Sequence, residues 1–202
     1  MNIVVGCHSL IVAVKNSNAT QKYLLAGEEL GLDMARRGHD LVFGGGNTGL
    51  MGAVARGVHR GGGKVIGVAP RFFNVDGILY PDCDEIIYTD TMRQRKEKME
   101  ELSDAFLITP GGIGTLDEFF EIFTLRQLGR HRKPIAILDT NGYYRPISDL
   151  LCKMEEEKFL KKDCLQLILI SEDPEKLLQF LEDNPAANIS GTGLKFLEEN
   201  DT

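Results

Sequence analysis

Two glycine-rich strings, Gly44-Gly45-Gly46-Asn47-Thr48-Gly49 and Pro110-Gly111-Gly112-Ile113-Gly114-Thr115, each follow a short apolar run and precede an amphipathic stretch. That order, strand then glycine turn then helix, occurs twice and points to parallel βα units. Apolar runs at residues 3–7, 41–43, 65–69, 86–88, 105–109, 135–138 and 167–170 predict strands. Helical spacing runs from Tyr23 to Met34, where Gly38 supplies a stop, and again over residues 50–59. Further helices are expected over residues 91–102, from the second glycine turn to about 128, and over 146–159 and 174–181. Residues 70–84 read as a loop. The expected fold is α/β, with a mostly parallel central sheet flanked by helices. It occupies residues 1–184 as a single domain, and residues 185–202 form a loosely ordered tail.

Composition narrows the function. The chain of 202 residues carries 23 Lys and Arg against 30 Asp and Glu, a formal net charge of −7, which is a poor footprint for a nucleic-acid polymer. A small anionic ligand is not excluded, because backbone amides can make one cleft positive inside an acidic protein. No run approaches the ~20 apolar residues of a membrane span, and no basic leader opens the chain. Cys7, Cys83, Cys152 and Cys164 are dispersed, with no Cys-x-x-Cys pair and no His at ligand spacing. Reduced structural thiols, a cytoplasmic location, no metal and no cofactor are the expectations.

In an open parallel sheet, glycine junctions at the carboxyl ends of strands are where ligands bind. Glycine lets the backbone approach a ligand, and a helix start offers unpaired N–H groups and partial positive charge, so a phosphate suits both turns. Neither turn is a standard fingerprint. The first lacks the Gly-Lys-Ser/Thr ending of a triphosphate-binding loop. In the second, Asp117 stands where a dinucleotide turn would place its third glycine, which weakens a hydride-transfer reading.

Two further positions carry charge toward this region. Met92, Arg95, Lys96 and Met99 fall on one helical face, where they would meet a base and a phosphate or else form a solvated basic turn. Thr91 with Gln94 has capping-box spacing, and so has Thr115 with Glu118. In the second case Glu118 either closes a helix start or does chemistry, and the spacing alone favours the first.

Residues 41–72, LVFGGGNTGLMGAVARGVHRGGGKVIGVAPRF, together with MRQRK, SDAFLITPGGIGTLDEFFEIFT, QLGRHRKP and NGYY over residues 92–144, resemble the LOG ("Lonely Guy") family. These phosphoribohydrolases are often labelled lysine decarboxylases. The likeness spans roughly residues 1–180 and rests on a PGGxGTxxE string at 110–118 with the Arg95-Lys96 pair upstream. It implies a Rossmann-like fold, a dimer or larger assembly, and hydrolysis of a purine or cytokinin nucleoside 5′-monophosphate to free base and ribose 5-phosphate. By that resemblance Arg95 and Glu118 are the catalytic pair. Gly111, Gly112, Gly114 and Thr115 hold the 5′-phosphate, and Gly45, Gly46, Met92 and Lys96 shape the pocket. Arg95 stays protonated and so orients groups rather than removing protons. Glu118 stands near a helix start, which suits a base or charge-stabilising role. The family carries a Gly-Ser-Ser-type turn after its first strand, whereas this chain has Gly6-Cys7-His8-Ser9-Leu10, a departure that bears on substrate identity more than on catalysis. It also motivates a second reading, a nucleotide-binding or sensing protein without hydrolysis. A pyridoxal-dependent decarboxylase would need a lysine Schiff base and ranks third.

Overall fold

A computed structural model describes residues 1–6 and 18–185 of the chain. The turn at Cys7-His8-Ser9-Leu10 and the expected tail beyond 185 lie outside the described residues. Seven strands run through the rest: β1 (Asn2–Gly6), β2 (Asp40–Phe43), β3 (Val65–Pro70), β4 (Glu85–Thr89), β5 (Ala105–Ile108), β6 (Ile135–Leu138) and β7 (Ile168–Ser171). They form one sheet in the order β4-β3-β2-β1-β5-β6-β7, with every neighbouring pair parallel. The α-helices are α1 (Asn18–Arg36), α2 (Gly49–Arg60), α3 (Met92–Leu102), α4 (Ile113–Gln127), α5 (Arg145–Glu156) and α6 (Pro174–Asp183). The α/β expectation holds, strand by strand and helix by helix. Two helix boundaries differ by several residues: α1, expected from Tyr23, already begins at Asn18. The element expected to reach 159 ends at Glu156, and Lys158 then turns through a positive φ of 68°.

The strands read as continuous apolar runs because both faces of the sheet are covered. Alternate residues part to opposite sides. Leu41, Phe43, Ala105, Leu107, Ala136 and Leu138 pack under α1, α2 and α6, with Leu30, Met34, Val54, Val58, Leu177 and Leu181. Val42, Phe106, Ile108, Ile135 and Ile137 meet Met99 of α3, Phe119, Ile122 and Phe123 of α4, and Leu151 of α5. Between β4 and β5 the chain crosses from one edge of the sheet back to its centre, so the strand order reverses between β1 and β5. The carboxyl ends of those two strands frame the crevice where this architecture receives ligands.

At the opposite end of the sheet, the turn from α4 to β6 buries His131, which is 4% exposed. Its Nε2–H donates to Ile122 O at 2.9 Å, and its Nδ1 finds no partner among the described residues. A proton on Nδ1 would therefore be buried without an acceptor. Burial pushes the imidazole down to about 4, and the charges of Arg126 and Lys133 act in the same direction against the Ile122 bond. Because the unfolded value is near 6.5, the neutral ring stabilises the fold above that pH. The contribution is lost as pH falls from 6.5 toward 4, with a limiting slope of about 1.4 kcal/mol per pH unit. Urea unfolding of the wild type should show this loss already between pH 6.5 and 5, above the range where most carboxylates titrate. His131→Asn should be less stable at pH 7 and nearly flat across the same interval.

Candidate active site

The first glycine string leaves β2 at the sheet's carboxyl end. Gly45 adopts a φ of +78°, and the following residues run against the loop after β3 rather than into open solvent. Asn47 N donates to Ile78 O at 2.9 Å and Tyr80 N donates to Gly45 O at 2.8 Å, with an antiparallel bridge between Gly46 and Leu79. Of residues 70–84, expected as a loop, Pro70 instead ends β3, and the rest begin with a short 3-10 turn at Arg71–Phe73 and then brace the glycine string from outside. The brace is anchored in turn. His59 on α2 touches the Tyr80 hydroxyl through Nδ1 at 2.9 Å and Asp84 Oδ2 through Nε2 at 3.0 Å. Asp84 is held below the usual carboxylate range by the Val65 backbone N–H and by His59.

The centre of the site is a buried ion pair. Thr91 caps α3, its hydroxyl accepting from Gln94 N while the Gln94 side chain accepts from Thr91 N, which is the capping box its spacing predicts. This start fixes Arg95 on the inward face, 1% exposed. Its Nη1 donates to Glu118 Oε1 at 2.7 Å and its Nε donates to Val68 O at 3.1 Å. Gly44 makes room for the guanidinium: a Cβ there would stand 1.9 Å from Arg95 Nη2. The helical face Met92, Arg95, Lys96 and Met99 is therefore neither a solvated basic turn nor an open platform. Arg95 and Met99 are buried against the sheet, and Met92 is half-buried at the first residue of α3.

Glu118 does not cap its helix. The N-cap of α4 is Gly112, so Thr115 is already the third helical residue and Glu118 lies one turn further in. The capping-box spacing of Thr115 and Glu118 is a coincidence of composition, overridden because the glycines allow the helix to start earlier. Glu118 is 8% exposed and directed at Arg95. Beside the pair, between α3 and α4, lies a cavity of about 30 Å³, which Glu118 lines together with Lys96, Glu100 and Glu121 and with the apolar Val4, Met99, Phe106, Ile108 and Ile122. The apolar part of this lining lowers the local dielectric at Glu118 and strengthens the pair's field.

The second glycine string opens α4. Thr115 N and Leu116 N both donate to Gly112 O. The N–H groups of Gly112, Ile113 and Gly114 belong to the first turn, where a helix has no acceptors of its own to offer. Thr115 itself is fully buried beneath Gly111, where a Cβ would fall 2.1 Å from its Oγ1. Two consecutive tyrosines hold the approach to the turn. Tyr144 OH donates to Thr109 O and Tyr143 OH donates to Gly111 O, each at 2.7 Å.

The expected pocket residues are thus brought to one end of the sheet, with one exception in orientation. Lys96 reaches away from the glycine strings to Asp117 Oδ2 at 2.9 Å and to Glu121 Oε2 at 2.5 Å. Partial burial draws its ammonium down, but these two carboxylates outweigh that and hold it above its ordinary value. Asp117, which stands where a dinucleotide turn would place its third glycine, shares this one ammonium with Glu121. Two participants carry no marked signal in the sequence, Gly44 as distinct from its glycine neighbours and the Val68 carbonyl; the tyrosine pair belongs to the NGYY string of the family resemblance, which gives it no role. Among the described residues no cluster of three His, Cys, Asp or Glu side chains forms a metal site.

Gly44 and Gly46 give a direct test of the pair's place in the fold. Gly44→Ala forces the guanidinium off Glu118, and separating a buried pair costs about 3–5 kcal/mol. At Gly46 a Cβ meets Met51 Cε, the free end of a flexible side chain. Gly46→Ala should therefore cost less than about 1 kcal/mol. Chemical denaturation of both variants measures the difference, and equal losses would contradict the assignment.

A family model described as "Possible lysine decarboxylase" matches residues 51–181. A probable cytokinin riboside 5′-monophosphate phosphoribohydrolase of Oryza sativa subsp. japonica is 40% identical over 161 residues, 80% of this chain and 66% of the relative. The chain therefore spans just under two thirds of that relative's length. A cytokinin riboside 5′-monophosphate phosphoribohydrolase of Arabidopsis thaliana is 39% identical over 161 residues, 80% of this chain and 75% of the relative. Among solved structures, the structural-genomics target TM1055 superposes with a TM-score of 0.65 at 22% identity, covering 90% of this chain and 98% of that one, a likeness of fold. With a family model over most of its length and relatives near 40% identity, the chain belongs to the LOG family, whose model bears the lysine decarboxylase description.

Proposed function

We propose that this chain hydrolyses the N-glycosidic bond of a purine or cytokinin-like nucleoside 5′-monophosphate, giving free base and ribose 5-phosphate. The observation that carries the reading is the carboxylate of Glu118, fixed by Arg95 one turn beyond a helix start whose amides suit a phosphate. The names of the curated relatives supply the substrate class. With the 5′-phosphate on the N–H groups of Gly112, Ile113 and Gly114, the sugar extends toward Glu118. As the C1′–N bond breaks, its electron pair leaves on the base nitrogen and positive charge grows at C1′. The carboxylate stabilises that charge and takes a proton from water. The water oxygen bonds to C1′, and the proton ends on the departing base.

Burial makes Arg95 a positioning residue in this scheme, since it reaches the reacting atoms through Glu118. Thr115 supports the phosphate turn from beneath, and Gly45 and Gly46 with Met92 line the first string's side of the crevice. Lys96 sets the spacing of α3 and α4. Phosphate binding supplies the energy that positions the reacting bond, so a nucleoside lacking it should react poorly. No cofactor or metal enters the scheme. A homodimer completes the reading: Ile113, 82% exposed at the start of α4, and Leu128, 58% exposed just past its end, leave apolar surface at both ends of the helix that suits a second copy. A cytoplasmic location fits the free thiols Cys83, Cys152 and Cys164, of which burial lifts Cys83 to about 11.

Incubation with AMP, an N6-prenylated analogue and a panel of other monophosphates, followed by product identification, tests the proposal. Base and ribose 5-phosphate should appear in equal amounts, and Glu118→Gln should lower kcat by at least about 100-fold with an unchanged circular dichroism spectrum. Absence of turnover across the panel would overturn hydrolysis. Tight binding without product would leave the non-hydrolytic nucleotide-binding reading in its place.

A further inference from the structure

We propose that Tyr143 is a positioning residue for phosphate recognition: its hydroxyl locks the Gly111–Gly112 peptide so that the Gly112 N–H faces the ligand. The inference rests on the reading that a 5′-phosphate sits at the start of α4. A peptide flanked by glycine on both sides has little steric resistance to turning over, because neither residue carries the Cβ that confines φ and ψ. One face of that peptide presents an N–H and the other a carbonyl, since the two point in opposite directions across a trans bond. Turned the wrong way, the carbonyl oxygen would confront the anion. Tyr143 OH donates to Gly111 O at 2.7 Å, which holds that oxygen on the tyrosine's side of the peptide and leaves the Gly112 N–H on the opposite side.

The geometry around Tyr143 is built for this. Asn141 and Gly142 adopt positive φ values of 58° and 67°, a tight turn after β6 that delivers two tyrosines in succession to the glycine string. Asp139 Oδ1 accepts from Tyr144 N at 2.5 Å and secures the turn. Tyr144, 2% exposed, bonds Thr109 O, but the next residue is Pro110, whose nitrogen has no hydrogen to aim. Of the two tyrosine contacts, Tyr143's is the one on a peptide that offers an N–H. The Tyr143 ring is steadied edge-on by Tyr23 of α1, centroids 6.2 Å apart, and by Tyr144 at 5.0 Å. Yet Tyr143 is 44% exposed, so its hydroxyl adds little to the core.

The test is Tyr143→Phe, which keeps the ring and its edge contacts and removes one hydrogen bond. Titration calorimetry with ribose 5-phosphate and steady-state kinetics with AMP are measured on the wild type and the variant. The Kd for ribose 5-phosphate and the KM for AMP should rise together by about three- to tenfold, the loss expected for one hydrogen bond. The value of kcat should stay within about twofold, because Glu118 and Arg95 are untouched. Thermal unfolding should be unchanged. A purely structural tyrosine would lower the melting temperature and leave ribose 5-phosphate affinity alone, and that result overturns the proposal. Wild-type affinity separates the two claims. A wild type that ignores ribose 5-phosphate removes the functional reading and the clamp with it, whereas wild-type binding matched by the variant removes the clamp alone.

Discussion

The ion pair between Arg95 and Glu118 ties together segments that are far apart in the chain. Arg95 comes from α3, Glu118 from α4, the carbonyl that orients the guanidinium from Val68 on β3, and the space it occupies from Gly44 after β2. Two charges so far from water are costly unless each is fully engaged. Their presence therefore fixes how α3 and α4 sit over the sheet end, and leaves little slack in where the carboxylate points. A core of the same volume built from apolar side chains would hold the helices as well, but it would place no charge beside the crevice. The energy spent on burial is returned as orientation.

The two glycine strings serve this pair differently. The first is a spacer: Gly44 clears the guanidinium, and the segment after β3 straps the rest of the string down through Gly45, Asn47 and Tyr80. In the proposed function the second is the binding element, a helix start whose neighbouring carbonyls are held by tyrosines from the turn after β6. On that reading an acidic chain receives a phosphate monoester through uncharged amides and a helix dipole. The −7 net charge speaks only to polymers and surfaces.

Strands and helices were readable from the sequence because an all-parallel sheet covered on both faces demands unbroken apolar runs, and residues 105–108 or 135–138 permit little else. The capping box at Thr91 was readable for the same local reason. The second capping-box spacing misleads because spacing alone cannot say where a glycine-led helix begins; Gly112 takes the cap, and Glu118 is released for another partner. Family resemblance singles out Arg95 and Glu118, and only tertiary structure explains them together, since 23 residues separate them. Lys96 lies near the site as its helical face implies, but it pairs with Asp117 and Glu121, because a side chain's direction depends on what stands across the helix gap. The NGYY string marks Tyr143 without giving it a role, and the Val68 carbonyl carries no sequence signal: one acts through a single hydroxyl on a turn, the other through its backbone.

A crystal structure of the Glu118→Gln variant with AMP bears most directly on this account. The account predicts the phosphate on the amides of Gly112, Ile113 and Gly114, with C1′ facing residue 118 and the Arg95 guanidinium still buried against Val68. A phosphate bound instead at the first glycine string, or a sugar turned away from residue 118, would contradict it.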